Sequence, residues 1–150
     1  MKLRRDPDHE IAAVFFGRQW LWNRFAVGLQ IRHHIGNHLA NAMQRRFREL
    51  KPGWAARGMD VGLGIGINEG PVVLGHVGGR ARMNYAMVGQ AVNLAHRLVE
   101  LAGDGQIVVA PEVVAGGLPD APGLSIRGLP PRALKGAEQP QAMVLLELEG

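Results

Sequence analysis

Apolar and polar positions alternate strictly from Val61 to Ile67: Val61, Leu63, Ile65 and Ile67 point one way, and Gly62, Gly64 and Gly66 the other. Period-two spacing predicts a strand buried on one face. Three glycines on the opposite face are costly to order, so the pattern implies that something approaches the backbone closely there. Asn68-Glu69-Gly70 supplies turn residues, and the run opening at Pro71-Val72-Val73-Leu74 is expected to return as the second arm of a hairpin. Gly78-Gly79 breaks that run and Met83 to Val88 resumes it. The period then changes: Val92, Ala95, Val99 and Ala102 follow helical spacing and predict a helix resting its apolar stripe on the sheet.

Upstream, Ile11 to Gly17 is a compact apolar run ended by glycine, read as a buried strand. From Arg18 to Gly36, Trp20, Trp22, Phe25 and Ile31 interleave with Arg24, Arg32, His33 and His34. That mixture suits amphipathic packing on the sheet, or a surface that stacks on single-stranded nucleic acid. Asn37 to Lys51 is expected to be a helix capped by Asn37, striped by Leu39, Met43, Phe47 and Leu50, and ended by Pro52-Gly53. Downstream come a strand from Gln106 to Ala110, a short helix from Pro111 to Ala115, and strands at Leu124–Leu129 and Gln141–Leu148. Strands and helices alternating with hairpins predict an α+β domain with a mainly antiparallel sheet.

The chemistry gathers on one helix. Asn93 and Arg97 are four apart and share a face. An amide beside a guanidinium, on a helix that follows a glycine turn, suits a sugar hydroxyl and a phosphate; two solvated surface residues would look the same. The order of residues says more. Gly64 to Gly70 (Gly-Ile-Gly-Ile-Asn-Glu-Gly), Val72 to Gly78, and Tyr85 to Leu98 with Val92-Asn93, Ala95 and Arg97-Leu98 resemble the catalytic domain of class III adenylate/guanylate cyclases. The likeness continues through Gln106 to Val109 and Leu134-Lys135-Gly136, and so runs roughly from Met59 to Leu148.

The resemblance implies a ferredoxin-like α+β fold and a head-to-tail dimer, either a homodimer or a heterodimer with a complete cyclase domain. It implies formation of 3′,5′-cyclic AMP and pyrophosphate from ATP, with Mg²⁺ or Mn²⁺ as cofactor. On it, Asn93 orients the ribose, Arg97 offsets charge on the α-phosphate and Lys135 holds the terminal phosphates. Ala86 takes the purine-reading position but has neither donor nor acceptor, and Gln90 stands where many bacterial relatives have Asp. Glu10 aligns with a metal-binding aspartate, and a Glu can ligate magnesium through the same carboxylate chemistry. No counterpart of the family's first strand precedes Asp6, so the chain resembles a domain shortened at its N-terminus. Residues 1–36 read as a poorly defined segment with one core strand, and 37–150 as the C-terminal three-quarters of a cyclase domain. A second reading follows from the incomplete metal set: a catalytically impaired partner or regulatory subunit.

Composition narrows the rest. At 150 residues the chain has the length of one domain. It has no cysteine, which excludes disulfides and thiol chemistry. No apolar run is long enough for a membrane span or a signal peptide, and a cytoplasmic location is expected. Residues 1–58 carry a formal +7 and residues 59–150 a formal −3. The basic third could meet nucleic acid or phosphates, or form a solvated helix face. His34 and His38 have metal-ligand spacing, but no third ligand stands beside them in the sequence.

Overall fold

A computed structural model describes residues 13–19, 24–30, 33–79, 82–115, 124–135 and 137–148; for 13–19, 24–30, 33–37, 74–79 and 82–87 only the backbone is described. The elements run β1 (Ala13–Gln19), β2 (Arg24–Gln30), α1 (His33–Ala55), β3 (Gly62–Ile67), β4 (Val73–Gly79), β5 (Arg82–Val88), α2 (Gln90–Leu101), β6 (Gln106–Val109), α3 (Pro111–Ala115), β7 (Leu124–Arg132) and β8 (Gln141–Leu148). Six strands form one sheet in the order β1-β2-β3-β6-β8-β7, and β4 and β5 form a separate two-stranded ribbon. The β2–β3 and β3–β6 pairs are parallel, while β1–β2, β6–β8, β7–β8 and β4–β5 are antiparallel. The expected α+β class with a mainly antiparallel sheet therefore holds.

Strand β3 sits at the middle and is buried along its whole length, not on one face as the alternation suggested. Leu63, Ile65 and Ile67 fill one side, where α1 packs; Ile107, in register with Ile65, and Leu146, in register with Ile107, are both fully buried. The glycine side meets α2. A Cβ on Gly66 would lie 2.5 Å from the Val99 nitrogen and 2.7 Å from the Ala95 oxygen, and one on Gly64 2.7 Å from the Ala102 oxygen. The close approach implied by the glycines is thus made by a helix backbone. The stripe of α2 that goes inward is Ala91, Ala95 and Leu98, continued by Ala102, one position away from the expected Val92 and Val99. Ala95 and Ala102 let the helix come this close, and a Val99 methyl closes over Gly66, where an added Cβ would lie 2.8 Å from Cγ2.

Two expectations are corrected. The chain from Asn68 to Val72 does not close a hairpin on β3: both edges of β3 are already taken by β2 and β6, so β4 leaves the sheet and pairs with β5 alone. The expected break at Gly78-Gly79 falls at the end of β4, which includes both glycines, and β5 resumes at Arg82. Helix α1 begins at His33, so Asn37 is interior and not a cap, and it passes through Pro52 to Ala55. Its end is set by Gly58, whose φ of +75° allows Met59 N–H to reach the Trp54 carbonyl at 3.0 Å and Gly58 N–H the Ala55 carbonyl at 2.9 Å. That paired closure needs a left-handed residue, which glycine supplies at little cost.

The buried face of α1 is also more polar than expected. Ala40, Asn41 and Gln44 are buried, whereas Leu39 and Leu50 are 37% and 40% exposed. Gln44 Nε2 donates to the Leu63 carbonyl at 2.9 Å and the Gln106 carbonyl at 3.3 Å, tying the helix to two strands. Residues 24–30, read as packing on the sheet, form β2 and are one of its strands. Strand β1 is described from Ala13 and extends past the expected Gly17 to Gln19; Ile11 and Ala12 lie outside the described residues. Strand β7 continues past Leu129 through Pro130 and Pro131 to Arg132, as an edge strand can, since the unpaired side needs no amide hydrogen.

Candidate active site

Two local arrangements set the start of α2 beside the end of β3. The buried Asn68 donates its amide Nδ2 to the Ala91 carbonyl at 2.9 Å, joining the strand's exit to the first turn of the helix. Gly70 passes so close to Ala91 that a Cβ there would lie 2.8 Å from the alanine Cβ. At the other end of the helix, Asp104 Oδ1 accepts the Leu63 N–H at 3.0 Å while its other oxygen pairs with Lys51 on α1. Helix α2 is therefore pinned at both ends to β3. Asn68 reads as a turn residue in the sequence; its positioning role shows only once the helix is in place.

A cleft of about 650 Å³ opens where these elements meet the loop before β8. Asn68, Gln90 and Asn93 line one side and Lys135, Glu138 and Gln141 the other, with Glu69 and Glu112 also in its wall. Asn93 and Lys135, singled out separately in the sequence, thus share one cavity. One lysine and three carboxylates line it, along with several amides able to donate or accept. Such a wall can hold a polar, hydrogen-bonding ligand in a fixed orientation.

Arg97 stands apart. It is one turn beyond Asn93 on α2 but does not line the cleft. Its Nη1 donates to both oxygens of Glu100, at 2.8 and 3.0 Å. Glu10 lies outside the described residues, so its candidacy as a metal ligand stays where the sequence left it. Ala86 is in β5 opposite Gly75 in register. Among the described residues, no group of three His, Cys, Asp or Glu is placed to hold a metal ion. Among them, too, no helix is long and apolar enough to cross a membrane.

The family model for the adenylate and guanylate cyclase catalytic domain matches residues 19–146. The chain belongs to this family. Solved cyclases agree with the assignment. The guanylyl cyclase Cya2 superposes with a TM-score of 0.53 at 28% identity, covering 73% of this chain and 53% of that one. The adenylyl cyclase CyaB from P. aeruginosa gives 0.52 at 22% identity over 73% and 55%, a likeness of fold. Among curated proteins, the uncharacterized proteins Rv1319c and Rv1318c of Mycobacterium tuberculosis are 49% and 51% identical over 43 and 39 residues. Those stretches are 29% and 26% of this cyclase-family chain and 8% and 7% of the relatives. The chain thus spans about half of the solved cyclases and a small part of the curated relatives it matches.

Proposed function

We propose that this chain supplies one half of a class III cyclase active site, converting ATP to 3′,5′-cyclic AMP and pyrophosphate in a head-to-tail dimer. The observation that carries the reading is the meeting of Asn93 and Lys135 in one cleft, at the positions where the family resemblance gives them ribose and terminal-phosphate roles. In the reaction, the ribose 3′-oxygen attacks the α-phosphorus and loses its proton, and the bond from that phosphorus to the bridging oxygen breaks to release pyrophosphate. Such a transfer depends on positioning and charge stabilisation. Asn93 fixes the ribose so that its 3′-oxygen is in line, Lys135 holds the outgoing phosphates, and Arg97 meets the charge that grows at the α-phosphate. In this reading the carboxylates for Mg²⁺ or Mn²⁺ come from across the subunit boundary, as the family resemblance implies.

The purine-reading position is Ala86, which offers no donor or acceptor to either base, so both nucleotides belong in the test. The test is complementation. The purified chain is assayed with ATP and with GTP, in Mg²⁺ and in Mn²⁺, alone and mixed with a complete class III cyclase whose own Asn/Arg pair has been replaced by alanine. Cyclic AMP should form in the mixture and depend on Arg97. No product in any mixture would leave a non-catalytic partner or regulatory subunit as the better account.

A further inference from the structure

Glu100 occupies an awkward place for a carboxylate. It lies in the last turn of α2, where the exposed carbonyl ends of the helix disfavour negative charge. Two side chains of the preceding turn turn towards it: Arg97, through both carboxylate oxygens, and His96, whose Nδ1 is 3.6 Å from Oε1. The consequence falls on Arg97. Its guanidinium lies along the helix, outside the cleft that Asn93 lines one turn earlier. A phosphate accepted by this guanidinium would also sit near the Glu100 carboxylate, and the two anions would repel.

We propose that Glu100 is a positioning residue that restrains Arg97, holding the guanidinium against α2 until the charge developing on a nucleotide phosphate draws it away. The inference rests on the half-site reading of Arg97, and goes beyond it by assigning Glu100 a brake on the same step. The side chains are 33% and 36% exposed, so the restraint is a modest one and sensitive to salt.

The test uses the complemented enzyme, with steady-state kinetics on mixtures containing the unaltered chain, Glu100→Gln, Glu100→Asp or Arg97→Ala. Glu100→Gln should raise kcat about twofold to fivefold with KM unchanged, the range an i, i+3 ion pair of this exposure can hold back. The gain should shrink towards none in roughly 1 M salt, where the restraint is screened in the unaltered chain as well. Glu100→Asp keeps the charge and should stay near the unaltered rate. An unchanged or lowered kcat for Glu100→Gln, with Arg97→Ala still inactive and thermal melts matching, overturns the restraint and leaves the half-site reading standing. An Arg97→Ala chain as active as the original removes the half-site reading itself.

Discussion

The two faces of β3 are packed by opposite means. Towards α1, Leu63, Ile65 and Ile67 fill the space with branched side chains, and Gln44 adds hydrogen bonds across it. Towards α2, Gly64 and Gly66 contribute no side chain, and the strand backbone meets the Ala95 and Ala102 carbonyls and the Val99 nitrogen closely, with only the Val99 and Ala102 methyls alongside. Side-chain packing can adjust by changing rotamers. A contact made mainly by backbone atoms has far less room to adjust. The face that carries Asn93 is therefore the rigid one, which suits a group that must be held within a fraction of an ångström of a ligand.

Substitutions on the two faces should separate these modes. Gly66→Ala adds one methyl where the Val99 nitrogen and Ala95 oxygen leave no room, and must push α2 outward. A loss of about 3 kcal/mol is expected in urea unfolding, with complemented activity falling too. Gln44→Leu, on the other face, removes two hydrogen bonds while keeping the side chain's bulk; a loss of about 1–2 kcal/mol is expected with activity retained. Within the cleft, Lys135→Ala leaves three carboxylates without the lysine, and should weaken binding of a non-hydrolysable ATP analogue about tenfold, read by titration calorimetry, with stability unchanged. Ile65→Val removes one methylene from the side facing α1 and should cost about 1 kcal/mol, a third of the effect of adding a methyl at the next residue. Lys51→Met breaks a half-exposed pair with Asp104 and should move the unfolding midpoint least, by less than about 0.5 kcal/mol. Equal losses at Ile65 and Gly66 would contradict the distinction between the faces.

The glycine alternation, the change of period at α2 and the strands β6 and β8 were readable along the chain because each is a local pattern. Asn93 and Lys135 stood out through their places in a family motif, and the fold brings both to one cleft. The path of β4 was not readable: Asn68-Glu69-Gly70 has turn chemistry, but whether a turn makes a hairpin depends on whether the strand edge is free. The end of α1 shows a competition between signals, since Pro52 falls in the last turn and is tolerated, and Gly58 closes the helix. The roles of Gln44 and Asn68 depend on partners 19 to 62 and 23 residues away, and no periodicity reports such contacts. The Arg97–Glu100 contact follows i, i+3 spacing, but Arg97 is also four residues from Asn93, and spacing alone does not decide which neighbour the guanidinium takes.

The central claim is that Asn93, on the helix packed against the glycine face of β3, and Lys135, in the loop before β8, serve a single nucleotide site. A titration of the ¹⁵N-labelled chain with a non-hydrolysable ATP analogue tests it most directly, in the presence of the complementing cyclase. The Asn93 side-chain amide and the Lys135 backbone amide should shift along one saturation curve with one Kd. Shifts at only one of the two, or saturation at different analogue concentrations, would contradict the account.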